Sequence, residues 1–238
     1  MRENIADIFV VGTDTGVGKT VLSLLLMQFF EARDYRPFYL KPLQTGCRDA
    51  YDQDSDAAFV YRHVPSLAKR DPADSIGSCF RNPKAPFFAA RDEGREIDLM
   101  RLEEMVIRKR LLYSPLVLEA AGGLLVPVQK EKLLVDTIKT TGARILLAGR
   151  AGLGTINHTL LSIEALRSRG LEPAGIVFLD NQATPAEMIA ENREAVQRYS
   201  GIAVAGVIGR IPDFDHPPEE CFRALEFLLA TNRVASPC

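Results

Sequence analysis

Nine residues constrain this chain more than any others: Gly12-Thr13-Asp14-Thr15-Gly16-Val17-Gly18-Lys19-Thr20, set directly after the apolar run 8–11 and directly before the apolar stretch 21–30. A loop of this composition, entered from a strand and left by a helix, is a phosphate cradle. The glycines at 12, 16 and 18 let the backbone turn tightly and bring its N–H groups against phosphate oxygens. The helix that follows, opening through Val21, aims the positive end of its dipole at the same point. Lys19 adds a full positive charge for the β- and γ-phosphates of ATP, and the Thr20 hydroxyl suits the Mg²⁺ that bridges them. Thr13 occupies the usual first-glycine position, and Gly12 precedes Gly18 by six positions, so the spacing is altered while the chemistry is kept.

A cradle of this kind sits at the carboxyl edge of a sheet, and the rest of the chain supplies one. Apolar runs at 8–11, 37–40, 116–118, 145–148, 176–179 and 204–208, several rich in β-branched residues, read as strands. Helical spacing recurs between them at 21–32, 102–110, 157–168, 185–199 and 218–229. The alternation implies an α/β fold of the P-loop NTPase type, a single domain over 1–238 with a mostly parallel central sheet and helices on both faces. The stretch 48–95, irregular and rich in charge and proline, is where active-site loops are expected.

The net charge of -2 provides no chain-wide basic field, so nucleic acid is not an expected partner. The first nine residues do not form a secretory signal. The most apolar stretch, 21–30, is interrupted by Ser23 and Gln28 and falls short of the roughly 20 residues a bilayer span requires, so it reads as a buried helix and no membrane is implied. Cytoplasm is the natural compartment. Cys47, Cys79, Cys221 and Cys238 show no C-x-x-C pair and are expected to be free thiols.

Two further residues belong at the same sheet edge. Glu119 ends the run 115–118 and precedes Ala120-Ala121-Gly122-Gly123, a small-residue loop able to approach a nucleotide; beside a phosphate cradle, it is the expected acidic partner of the metal. Lys41 ends the second strand and should emerge beside the cradle, where it could work at the phosphates; a solvated strand-end lysine is the alternative. Asp52, Asp54 and Asp56 suit a solvated loop or a helix start.

Taken together, the motifs resemble the dethiobiotin synthetase family from Phe9 to about Pro212. They are the cradle, Lys41-Pro42 with Thr45-Gly46, Ser55-Asp56, Glu119 with Gly122-Gly123, Gly154-Thr155-Ile156-Asn157-His158, Asn181, and Gly209-Arg210-Ile211-Pro212. The resemblance implies an ATP- and Mg²⁺-dependent cyclo-ligase that joins CO₂ to 7,8-diaminopelargonate and closes a ureido ring, giving dethiobiotin, ADP and phosphate. It also implies roles. Thr20, Asp56 and Glu119 would hold Mg²⁺, and Gly16 to Val21, Asn181, Ile211 and Pro212 would hold ATP. Lys41, Lys19 and Thr15 would be catalytic. Thr15, Lys41, Thr45, Gly154, Thr155 and Asn157 would meet the substrate, the last three from the neighbouring subunit of a twofold homodimer.

From the residues alone, Asn181 could equally be a turn asparagine, Asn157 a helix cap, and His158 structural. The chain departs from the family pattern at Ala120, where glycine is frequent, and shows no tyrosine between Asn181 and Gln197 to hold the substrate carboxylate. The rival readings are a P-loop ATPase switch and a regulatory nucleotide-binding module of the same fold. Switches with a deviant loop carry a second lysine near its start, where this chain has Thr13-Asp14-Thr15. Cobyrinate-type amidoligases carry a glutaminase domain for which 238 residues leave no room.

Overall fold

Every run expected to be a strand lies in one parallel sheet of the computed structural model, which describes residues 5–230. The elements in chain order are β1 Ile8–Gly12, α1 Lys19–Glu31, β2 Phe38–Thr45, α2 Asp56–His63, β3 Ile76–Phe80, α3 Pro86–Asp92, α4 Leu99–Arg110, β4 Leu116–Gly123 and the short hairpin β5 Pro127–Gln129 and β6 Lys132–Leu133. They continue as α5 Leu134–Thr141, β7 Arg144–Arg150, α6 Thr155–Arg167, β8 Pro173–Leu179, α7 Ala186–Ser200, β9 Val204–Ile208, α8 Glu219–Arg223 and α9 Phe227–Ala230.

The sheet order is β3-β2-β4-β1-β7-β8-β9. The chain leaves β1 toward β2 and β3, returns through β4, and crosses to β7 on the other side. The carboxyl end of β1 is therefore the point where strand order reverses, and a crevice opens there for ligand. Strands β1 and β4 are buried at almost every position, as a sheet covered on both faces requires. Helices α1, α2 and α8 pack together over one face, while α4 packs with α5 and α6 with α7.

Within α1, residues 22–30 are all buried, including the two polar interruptions. The Gln28 amide donates to the carbonyls of His63 and Phe214, at 2.9 and 2.7 Å, so this buried side chain ties α1 to the end of α2 and to the segment after β9. The expected helix 218–229 is two short pieces instead. Bonds from Leu225 to Phe222 and from Glu226 to Arg223 tighten the backbone to three-residue spacing between them. Ala224 and Phe227 fit there against Gly206 and Gly175, positions where a Cβ would come within 2.3 and 2.5 Å of them.

The stretch 48–95 carries more regular structure than its composition suggests: α2, a 3₁₀ turn at Pro72–Ser75, the edge strand β3, and α3. It also corrects the expectation for the cysteines. Cys47 and Cys79 form a disulfide joining the end of β2 to β3, brought together because β2 and β3 run in register from Lys41–Ile76 to Thr45–Phe80. Cys221 is a buried free thiol, and Cys238 lies outside the described residues. Among the described residues no helix is long and apolar enough to cross a membrane.

Candidate active site

The cradle is shaped by close contacts that exclude side chains. A Cβ on Gly12 would lie 2.9 Å from Val17 and 3.0 Å from the Lys19 stem, and one on Gly18 would lie 2.6 Å from Leu179 at the end of β8. Gly18 also has φ of +96°, a left-handed conformation that glycine adopts without steric penalty, and it is the residue from which α1 starts. Gly16, at φ +69°, faces open space. The Thr13 N–H donates to the Ala148 carbonyl at 3.0 Å, fastening the loop to β7. Lys19 folds back over the loop, its Nζ 2.9 Å from the Asp14 carbonyl.

Beside the cradle, four elements converge on one cluster in which Lys41 and Glu119 are buried and Asp56 and Thr20 half-buried. Leu40 pairs with Leu118, so the residues that follow, Lys41 and Glu119, leave the β2–β4 register side by side. Lys41 Nζ lies 2.6 Å from Glu119 Oε1, 2.8 Å from Asp56 Oδ2 and 3.3 Å from the Ala120 carbonyl. Ser55 caps α2 by accepting from the Ala58 N–H at 3.1 Å, which places Asp56 on the first turn facing the cluster. The Thr20 hydroxyl, at the start of α1, is 3.1 Å from Asp56 Oδ1 and 2.9 Å from Glu119 Oε1. On the far side, the Tyr39 hydroxyl donates to Glu119 Oε2 at 2.8 Å.

Burial gives these charges their character. Desolvation pulls the Lys19 ammonium down, and the positive Lys41 adds to it, to about 8 despite three nearby carboxylates. For Lys41, burial acts downward too, but Glu119 and Asp56 outweigh it and hold the amine above its ordinary value, so it is a cation. Burial pushes the Asp56 carboxyl up, and Lys41 more than reverses this. Tyr39 is held well above its usual range by burial and then by the Glu119 charge, so it is a donor at any working pH.

Among the described residues no group of three or more His, Cys, Asp or Glu side chains could hold a metal. The set that does converge is two carboxylates and a hydroxyl, all hard oxygen donors. That set fits Mg²⁺, which takes one or two carboxylates and completes its shell with phosphate oxygens and water.

The remaining candidate residues distribute along the same sheet edge. Thr15 is exposed at the crest of the cradle, and a Cβ on Gly122 would sit 3.6 Å from its hydroxyl, so the β4 loop packs against it. Thr45 is half-buried at the end of β2. Asn181 follows β8 and is exposed, while Ile211, buried, and Pro212, exposed, follow β9, the neighbouring strand. Gly154, Thr155 and Asn157 open α6, but Asn157 does not cap it: the cap is Gly154, at φ +90° with no side-chain bond, and Asn157 is exposed in the first turn. A hollow of about 480 Å³ separates the cradle from α6, lined by Thr13, Thr15, Gly123, Leu125, His158 and Leu161 among others. His158, expected to be structural, is therefore exposed on this wall, whereas Gly154, Thr155 and Asn157 are not part of it.

Three side chains that contact this region could not be picked out from the sequence. Tyr39 reads as a core aromatic in an apolar run. Arg150 ends β7 with its guanidinium 3.4 Å from the Thr15 carbonyl and 3.8 Å from Asp14; a charge closing a buried strand beside a phosphate loop was the available signal. Asn192, buried in α7, donates to the Ala151 carbonyl at 2.8 Å and fixes the loop leading into α6. Nothing in its helical surroundings marks it.

A family model described as an AAA domain matches residues 6–218. An ATP-dependent dethiobiotin synthetase BioD of Chlorobaculum tepidum is 37% identical over 207 residues, covering 84% of each chain. This chain belongs to the dethiobiotin synthetase family. A BioD of Anaeromyxobacter sp. is 40% identical over 172 residues, 72% of this chain and 75% of that one. The biotin biosynthesis bifunctional protein BioCD of Bordetella avium is 39% identical over 208 residues; the match takes in 87% of this chain and 40% of that longer protein. In fold, the chain is similar to the MinC:MinD cell division protein complex of Aquifex aeolicus, with a TM-score of 0.59 at 14% identity over 98% of both chains. It is similar also to pnob8 ParA, with a TM-score of 0.60 at 9% identity over 96% of this chain and all of the other.

Proposed function

We propose that the chain works as an ATP-dependent dethiobiotin synthetase in biotin synthesis, closing the ureido ring of 7,8-diaminopelargonate with CO₂. The observation that carries this reading is the buried Lys41–Glu119 pair, joined by Asp56 and Thr20 beside a complete phosphate cradle, in a member of that family. A switch has no need of a second buried lysine arriving from β2; a phosphoryl acceptor that is itself an anion does.

The reaction begins when one substrate amine takes up CO₂ to form a carbamate. Its oxygen attacks the γ-phosphorus, ADP leaves, and a carbamic-phosphoric anhydride results. The second amine then attacks the carbonyl carbon, phosphate departs, and the ring closes without a covalent enzyme intermediate. Carbamate and triphosphate repel each other, so the protein's task is positioning and charge compensation. Lys19 and Lys41 supply fixed cations on two sides of the γ-phosphate, Thr15 lies at the carbamate end, and Thr45 contacts the reacting end of the substrate. Thr20, Asp56 and Glu119 hold Mg²⁺, which when bound screens the β- and γ-phosphates. The cradle from Gly16 to Val21 holds the phosphates, and Asn181 with the backbone near Ile211 and Pro212 receives the adenine.

The substrate tail fits the hollow between the cradle and α6. Leu125 and Leu161 are exposed on its walls, and Leu153, 93% exposed, lies just before α6, which supports a twofold homodimer in this region. In that dimer the α6 N-terminus, with Gly154, Thr155 and Asn157, turns its free N–H groups to the carboxylate of the partner's substrate. The compartment is the cytoplasm. The assay is phosphate release from ATP with the product identified by mass: release only when diaminopelargonate and bicarbonate are both present supports this function. Hydrolysis independent of both, or dependent on a protein partner, supports a switch.

A further inference from the structure

Glu119 presents its two carboxylate oxygens to different neighbours. Oε1 faces the ligand side, 2.9 Å from the Thr20 hydroxyl and 2.6 Å from Lys41 Nζ. Oε2 faces inward and takes the Tyr39 hydroxyl at 2.8 Å. Tyr39 and Glu119 are 0% and 1% exposed, so no water competes for that bond. Nor is the tyrosine free to withdraw. Its own carbonyl accepts from the Ser75 hydroxyl at 2.6 Å, and Ser75 in turn meets the Tyr61 hydroxyl at 2.8 Å, all within the buried interior. The Tyr39 backbone is thus fixed through Ser75 and Tyr61, and its phenol, sealed from solvent, bonds the carboxylate.

Resting on the reading of Glu119 as a metal ligand, we propose that Tyr39 is a positioning residue that makes this site selective for Mg²⁺ over Ca²⁺, by occupying Glu119 Oε2 so that Oε1 alone faces the cation. The physics is that of ligand count. Ca²⁺ is large and gains from two-oxygen coordination by a carboxylate, whereas Mg²⁺ demands a compact octahedron in which a carboxylate gives one oxygen. A carboxylate that cannot rotate serves the smaller ion. Removing a partner that orients a metal's ligand in this way typically costs about 10–100-fold in metal affinity.

The test is calorimetric binding of Mg²⁺ and Ca²⁺ to the full chain with a non-hydrolysable ATP analogue, comparing the natural protein, Tyr39→Phe and Glu119→Gln. Tyr39→Phe is expected to weaken Mg²⁺ by about 10–100-fold and to raise the Ca²⁺ to Mg²⁺ affinity ratio, with nucleotide binding in EDTA little changed. A purely structural tyrosine would lower the Tm and leave that ratio where it was. Unchanged Mg²⁺ affinity and ratio in Tyr39→Phe, together with lost metal binding in Glu119→Gln, would overturn the role of Tyr39 and leave the proposed function standing. Retained metal binding in Glu119→Gln would overturn both assignments. Where Tyr39→Phe folds poorly, infrared spectra of the natural protein carrying ¹³C-glutamate decide the matter: a one-oxygen carboxylate pattern with Mg²⁺ agrees with the proposal, and a two-oxygen pattern contradicts it.

Discussion

Lys41 Nζ sits 2.6 Å from Glu119 Oε1, with both side chains sealed from solvent. A buried ion pair of this kind contributes little net stability over apolar packing, yet removing one partner strands the other at a cost of about 3–5 kcal/mol. In the proposed reaction the pairing keeps an ammonium and the carboxylate assigned to Mg²⁺ dry and oriented beside the cradle before substrate arrives.

Lys41→Ala should lower kcat by at least about 100-fold, the scale for losing one preorganised donor to a transition state. ATP affinity should largely survive, because the cradle and Lys19 remain. Turnover within a few-fold of the natural protein, measured as phosphate release, would remove Lys41 from the reaction.

Gly18→Ala should disturb fold and nucleotide binding together. The left-handed backbone there costs a side chain about 1–2 kcal/mol, and the new methyl would meet Leu179 at 2.6 Å. Gly16→Ala meets no such neighbour and should lower the Tm less while still weakening ATP binding. Thermal unfolding of the two variants side by side checks the order.

Lys19, lowered to about 8 in the free protein, should couple nucleotide binding to a proton. A triphosphate in the cradle raises the amine again, so binding takes up a proton above about pH 8 and none well below it. Affinity is flat through the neutral range and then falls by up to about tenfold per pH unit. In the free protein the sign for stability is the reverse: between about 8 and 10.5 the unfolded chain binds the extra proton, so this group alone adds stability as pH rises through that window. Calorimetry in two buffers of different ionisation enthalpy reads the proton uptake directly.

How much of this was legible in the sequence follows from how far apart the interacting residues lie. The cradle, its flanking strand and helix, and all six expected strands depend on short patterns and emerged as expected. Lys41 and Glu119 could be placed beside the cradle because each closes an apolar run, but neither ends its strand as expected: β2 runs on to Thr45 and β4 to Gly123, through residues too polar or too small to read as strand. Their contact, across 78 positions, could not be read, nor could the Tyr39 bond to Glu119 across 80. The disulfide was hidden for the same reason: without β3, no local signal brings Cys79 to Cys47. A helix cap at Asn157 or a nearby residue was the alternative reading of this stretch, and the structure puts the cap at Gly154, three residues before Asn157.

Asn192→Ala should loosen the loop between β7 and α6 without touching the cradle. It strands the buried Ala151 carbonyl at a cost of about 1–3 kcal/mol. Through the α6 N-terminus the loss should reach the substrate, raising KM for diaminopelargonate more than it lowers kcat. An unchanged KM with a lowered Tm would confine Asn192 to stability.

In the proposed reaction a carbamate oxygen, guided by Lys41 and Lys19, is the group that attacks the γ-phosphate. Turnover with ¹⁸O-labelled CO₂, followed by mass analysis of the released phosphate at short times, tests this most directly. One labelled oxygen in each phosphate is the expected result, since the oxygen that makes the bond to phosphorus leaves with it. Unlabelled phosphate would mean that water attacks instead, and the roles given to the two lysines would fall.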